Sequence, residues 1–240
     1  KLKIILNSLG FSVNEYDRIN DKASNFYIIA GLSDAGGAAD MNLKVLNISV
    51  PGSPEALVIQ KTEYKEKPAL VLCGSDETGL MYALLEVAQR MSWNDPEDDL
   101  FEHITNVREK PCMHDRSISS YTMQRKNFEE FLHDEKHIEK FFDMLAMSRI
   151  NSYAIIFGYE NGGFMAPSYP YFFDVEGFPE VKIVGLTQEE QKKNLQAFKK
   201  LIELANQRGI RVVPGFWDHI FRGRAHSQGV LGPPDEGDPR

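Results

Sequence analysis

Trp217, Asp218 and His219 set an indole face, a carboxylate and an imidazole on three consecutive positions. A sugar presents apolar C–H faces as well as hydroxyls, so this combination suits a sugar-binding corner. Adjacent residues need not converge, however, and an Asp-His order serves equally as a partly buried hydrogen-bonded pair that meets no ligand. Tyr159 and Glu160 form a second candidate pair, a ring to stack or donate and a carboxylate to accept; solvated loop residues are the competing account. Arg222, Arg224 and His226 make a basic stretch in an acidic chain. Charge matching alone fits it to a carboxylate-bearing sugar such as a uronic acid, and a solvated loop explains it as well. Phe164, Tyr169, Tyr171, Phe172 and Phe173, interleaved with Pro167 and Pro170, read either as a sugar-stacking platform or as a self-packing lid.

What must position these groups is a series of strands and helices in the second half. Residues 113–119 fit a first strand, and the near-continuous apolar run Asn151–Phe157 fits a second that is buried on both faces of a parallel sheet. Between them, Asp134 is placed to cap a helix carrying Ile138, Phe141, Phe142, Leu145 and Met147 on its apolar side. Thr187 and Glu190 form a capping box ahead of a helix with Leu195, Phe198, Leu201, Ile202 and Ala205, which Gly209 ends before a third strand, Ile210–Pro214. Strand, helix, strand, helix, strand with short returns predicts parallel βαβ topology, as an open doubly wound sheet or a closed barrel. Tyr159 and Glu160 follow the second strand, and Trp217, Asp218 and His219 follow the third, on the side where barrels carry their reactive loops. The long strand-to-helix segment 158–187 favours the barrel.

The first half alternates strand and helix signals as well. Asn25–Gly31 and Glu55–Glu63 read as strands, Lys65–Pro68 as a hairpin turn and Ala69–Cys73 as the paired strand. A helix follows, capped by Ser75 or Asp76, with Leu80, Leu84, Leu85 and Ala88 on its apolar face. The acidic, proline-bearing stretch Asn94–Asp99 reads as the separator of two packed units, with the boundary between 92 and 110. The expected organisation is a small α/β domain over 1–95 and the first part of a (β/α) TIM-type barrel over 110–240. The tail from Gly229 has no core pattern and is expected to be a loop or a disordered end.

Composition narrows the function classes. A formal charge of −8 leaves no basic surplus for phosphates, so no nucleic-acid partner is expected. No run approaches the roughly 20 apolar residues of a bilayer span. Lys1 in place of an initiator Met suggests a chain that starts inside a longer product, and Cys73 and Cys112 are expected to be buried free thiols rather than zinc ligands.

The stretch "GSDETGLMYALLEVAQRM", with Gly74, Gly79, Leu80, Tyr82, Ala83 and Leu84, resembles the small α/β domain that precedes the barrel in beta-hexosaminidases of glycoside hydrolase family 20 and in alpha-glucuronidases. "DRSISS", "FFDMLAMSRINSYAII" and "ANQRGIRVVPGF" are similar to the first strand, first helix, second strand and third strand of the hexosaminidase barrel. The resemblance implies a glycoside hydrolase acting on a glycan or polysaccharide, or a carbohydrate-binding protein that keeps the fold without the chemistry. It implies a carbohydrate substrate, no cofactor, no metal, and a secreted, periplasmic or cell-surface location. It places Arg116 where the family holds sugar hydroxyls with an arginine on the first strand; a salt bridge with Asp115 or another carboxylate is the alternative. The chain departs from the pattern after the second strand, where Phe157-Gly-Tyr-Glu160 stands in place of a His-containing motif. The catalytic Asp-Glu pair belongs to a fourth strand that this sequence does not show, so the catalytic carboxylates are expected beyond the chain.

Overall fold

The computed structural model describes residues 1–18, 24–95, 97–119, 125–157, 169–179, 181–183 and 185–216. The chain divides into two units, Lys1–His114 and Asp115–Arg240.

Unit 1 contains α1 (Leu2–Ser8), β1 (Tyr27–Leu32), α2 (Ala38–Val45), β2 (Leu57–Tyr64), β3 (Lys67–Gly74), α3 (Glu77–Met91) and β4 (Val107–Glu109). Its sheet runs β1-β3-β2-β4, with β1 parallel to β3 and the remaining pairs antiparallel. Period-2 alternation divides the core between the two faces. Leu57, Ile59, Leu70 and Leu72 join Leu6 of α1 and Tyr82 of α3 on one side, while Val58, Val71 and Cys73 join Ala39 and Leu43 of α2 on the other. From Ala69 onward central β3 is therefore buried on both faces, which is why that part of its sequence carries no polar alternation.

Two local signals behave differently from the sequence reading. The hairpin turn is only Lys65-Glu66, both in the left-handed region at φ 51° and 61°. That is the geometry of a two-residue turn whose twist matches the strands. Lys67 and Pro68 already belong to β3; Pro68 pairs with Glu63 one residue before β1 joins the ladder at Ala69, so its missing N–H costs little there. On α3 the fully buried side is Gly79, Tyr82, Ala83, Val87, Ala88 and Met91, whereas Leu80, Leu84 and Leu85 are half-buried along an open hollow with Leu2 and Leu32.

The "GSDETG" motif has a steric and polar explanation. Asp76 caps α3 through the Gly79 N–H at 2.8 Å and also accepts the Glu55 N–H at 2.8 Å. Ser75 is occupied elsewhere: its hydroxyl donates to the Ser53 carbonyl at 2.7 Å and accepts the Ala56 N–H at 3.0 Å. A Cβ on Gly79 would lie 2.3 Å from the Ala56 carbonyl oxygen, so only glycine lets the helix start against this loop.

The acidic stretch lies inside unit 1 rather than between units. Asn94 is buried and donates to the Asp99 and Leu100 carbonyls at 2.9 and 3.0 Å, and Leu100, Phe101 and Ile104 enter the core. β4 then pairs with β2, which carries the unit to His114. Cys73 is buried as expected, but Cys112 is exposed because it lies on the irregular segment after β4; both are free.

Unit 2 contains β5 (Ser117–Ser119), α4 (Arg125–His133), α5 (Glu135–Met147), β6 (Ser152–Phe157), a short 3-10 turn (Tyr169–Tyr171), α6 (Gln188–Asn206) and β7 (Arg211–Phe216). The sheet is parallel throughout in the order β5-β6-β7. Asp134 caps α5 through the His137 N–H at 3.0 Å, and Thr187 and Glu190 form the complete capping box on α6. Gly209 takes φ 67° at the turn into β7. Tyr153 packs edge-on against Phe141 and Phe142 of α5, and Phe157 against Phe198 of α6, so α5 and α6 cover the same face of β6. Fully burying one such ring stabilises by about 1.5–3 kcal/mol.

Helix α4 was not anticipated, because its nine residues bury only Phe128 and Leu132 among mostly polar neighbours. Met147 is exposed rather than core, one position past the buried Ala146. On α6, Leu195, Phe198 and Ile202 are half-buried, and the innermost positions include Asn194 and Leu204. The tail from Gly229 lies outside the described residues.

Candidate functional site

A parallel sheet has two chemically different ends. At the amino end of unit 2 stands Arg116, immediately before β5. Its Nε donates to the Arg149 carbonyl at 2.6 Å and its N–H to Asn151 Oδ1 at 2.9 Å. Asn151, 5% exposed, also donates its own N–H to the Arg116 carbonyl at 3.1 Å and accepts the Arg211 N–H at 3.0 Å. One carboxamide residue thus ties the starts of all three strands together, and its buried polar groups are satisfied in doing so. Asp115 pairs with Arg211, not with Arg116. That pair is exposed and contributes little to stability.

The Arg116 Nε is engaged at the amino end, on the backbone turn that leads into β6, whereas ligand-binding groups of parallel α/β sheets commonly sit beyond the carboxyl ends.

The carboxyl end is defined by register. Ser152 pairs with Arg211, and the pairing continues without slip to Phe157 opposite Phe216. β6 and β7 therefore finish side by side, about 4.8 Å apart as neighbouring strands are. Gly215 leaves room there for Ile156: a Cβ on the glycine would meet the Ile156 side chain at 2.8 Å. Tyr159, Glu160, Trp217, Asp218 and His219 lie outside the described residues, as do Arg222, Arg224, His226, Phe164 and Pro167. Chain connectivity starts both segments from this shared end.

The described part of the long segment after β6 is tied down. Gln191 Nε2 donates to the Pro170 carbonyl and to Asp174 Oδ1, both at 3.0 Å. Asn194, 4% exposed, donates to the Tyr171 carbonyl at 3.2 Å and faces His133 Nε2 at 3.0 Å through Oδ1. Tyr171 adds a bond to Glu129 of α4 at 3.2 Å. Tyr171 and Phe172 are core residues, with Phe172 packed on Phe157 and Phe198, whereas Phe173 is 50% exposed and stacks on half-buried Tyr169. The aromatic run thus contains both a self-packed part and an exposed part.

Asn151, Gln191 and Asn194 carry this architecture and were not singled out from sequence. The available signal was Asn194 itself, a polar residue four positions before Phe198 and seven before Leu201 on the apolar stripe. Among the described residues, Asp98, Glu102 and His103 of unit 1 bring one donor atom each within 4.8 Å of one another, on an open surface. In Cys73, burial first and then Asp40 and Asp34 push the thiol up to about 11, so it is inert at neutral pH.

A small α/β unit and a parallel βαβαβ unit place the chain in the mixed α/β class. That fold is shared with solved glycoside hydrolases. A GH138 enzyme targeting pectin rhamnogalacturonan II superposes with a TM-score of 0.61 at 19% identity, over 91% of this chain and 22% of that one. The structure of CpGH84D gives 0.54 at 11% identity, over 89% and 30%. The beta-N-acetylhexosaminidase from Bacteroides fragilis NCTC 9343 gives 0.44 at 17% identity, over 80% and 40%. The chain spans about a fifth to a third of the first two. No protein-family model and no curated protein matches the sequence.

Proposed function

We propose that this chain is the leading part of a glycoside hydrolase acting on a glycan or polysaccharide, with its substrate site at the carboxyl ends of β6 and β7. The observation that carries the reading is the register that finishes Phe157 opposite Phe216. It starts the segments bearing Tyr159-Glu160 and Trp217-Asp218-His219 from one place. Aromatic faces there would cover the C–H surface of a sugar ring, and the carboxylates and imidazole would take its hydroxyls. Arg116 serves as an amino-end anchor, and the sheet is the opening arc of a barrel. The small α/β domain is a support of the hexosaminidase type. The fold shared with the pectin-targeting GH138 enzyme supports the substrate class.

Glycosidic cleavage generally uses two cooperating carboxyl groups, one protonating the leaving oxygen and the other acting as base or nucleophile. We assign that pair to strands outside this chain and give Glu160 and Asp218 binding roles. No metal or organic cofactor is required by this chemistry. Among the described residues, no helix is long and apolar enough to cross a membrane. A polymeric substrate favours a secreted, periplasmic or cell-surface location.

The test is a screen of the full-length protein against chromogenic glycosides and rhamnogalacturonan II oligosaccharides. Release of a terminal sugar is the expected result. Glycan binding with no turnover would leave the carbohydrate-binding alternative, and neither binding nor cleavage would overturn the proposal.

A further inference from the structure

The segment Tyr169–Asp174 holds groups that the fold positions and does not use. Phe173 is half exposed and stacks on Tyr169 with ring centroids 6.2 Å apart and planes 22° from parallel. Phe172, next to Phe173, and Tyr171, two residues away, are buried, so among the described residues burial has sorted the run and left Phe173 with Tyr169 toward the surface. Among the described residues the Tyr169 hydroxyl makes no hydrogen bond, and of the Asp174 oxygens only Oδ1 is engaged, by Gln191. The backbone beneath is fixed: Phe172 and Phe173 N–H both donate to the Tyr169 carbonyl, at 2.9 and 3.2 Å, and Gln191 and Asn194 hold the Pro170 and Tyr171 carbonyls.

From this juxtaposition we propose that Tyr169 and Phe173, with Asp174 beside them, form an accessory carbohydrate subsite that stacks a pyranose ring away from the bond being cleaved. An aromatic surface takes the C–H face of a sugar, and an unspent phenol and carboxylate oxygen take its hydroxyls. Because the segment is already ordered by α6, binding pays little additional conformational entropy, which suits a shallow site. Phe172 packs on Phe157, the last residue of β6, so the subsite belongs to the carboxyl-end side of the sheet, and a long glycan can reach it while its terminal sugar lies at the strand ends. The inference rests on the glycan reading proposed above.

The experiment uses the full-length protein, with rhamnogalacturonan II oligosaccharides as the probe in titration calorimetry and aryl monosaccharide glycosides as short substrates. Phe173→Ala should weaken oligosaccharide affinity roughly tenfold, a loss of the size one aromatic stacking contact carries. Phe173→Trp should restore it. The melting temperature should stay unchanged, because Phe173 is exposed, and kcat/KM on the short glycoside should fall far less than oligosaccharide affinity. Unchanged oligosaccharide affinity, or equal loss on long and short substrates, would overturn the subsite while leaving the proposed function standing. A wild-type protein that neither binds nor cleaves these glycans would overturn both.

Discussion

The two ends of the parallel sheet in unit 2 are held in different ways. At the amino end, Asn151 closes Arg116 and Arg211 into one hydrogen-bonded knot, the Arg116 guanidinium reaches the Arg149 carbonyl, and Asp115 takes Arg211. At the carboxyl end, β6 and β7 finish in register, and the far part of the long segment after β6 keeps Phe173 exposed. The lesson is that an arginine or carboxamide near a strand does not mark a ligand site by its type. A polar atom held by the backbone, as Arg116 Nε and Asn151 Oδ1 are, is not at the same time offered to a substrate.

The contrast can be broken from either side. The largest effect is expected at the carboxyl end: Glu160→Gln or Asp218→Asn in the full-length protein should lower glycan kcat/KM on the order of 100-fold, with the melting temperature held, if the carboxylate takes a substrate hydroxyl as proposed. At the amino end, Asn151→Leu should destabilise by about 2 kcal/mol in denaturant titration, because it leaves the Arg116 N–H without its acceptor. Should that variant lose glycan binding while keeping its stability, the amino end would be the functional one. Arg116→Ala should cost at least about 1 kcal/mol of stability, for the lost Nε bond to the Arg149 carbonyl, and leave glycan affinity unchanged.

The smallest effect concerns unit 1, where polar groups are likewise spent on structure. Lys44 donates to Asp40 Oδ2 at 2.8 Å, and Gly36 N–H does so at 3.1 Å, holding the Asp40 carboxyl below its ordinary value. A depressed carboxyl contributes stability above its unfolded value of 3.8 and loses it as pH falls through the lower folded value. Acid should therefore loosen α2, read as faster amide exchange over Ala38–Val45 below about pH 4, and Asp40→Asn should remove that pH dependence.

Much of the fold was legible because period and punctuation agree with burial. β6 could be read as a buried parallel strand from its unbroken apolar run, and α6 from Thr187, Glu190 and Gly209. The polar groups that define the amino end were not legible, because Asn151 and Arg116 act across 35 residues and nothing in the local pattern shows which end of a strand a side chain serves. The extent of unit 1 was hidden for a related reason. Asn94 looks like linker composition, yet it is buried against carbonyls that only the folded turn presents. On the carboxyl side, residue types suggested sugar chemistry, and the register of β6 with β7 is what gives them a common origin.

Hydrogen exchange on the full-length protein with and without a bound rhamnogalacturonan II oligosaccharide tests the central claim most directly. Slower exchange should be confined to peptides beyond Phe157 and beyond Phe216, extending to Tyr169–Asp174 for the longer glycans, while Asp115–Arg116 and Arg149–Asn151 exchange as before. Protection at Asp115–Arg116 and Arg149–Asn151, with none past Phe157 or Phe216, would contradict it.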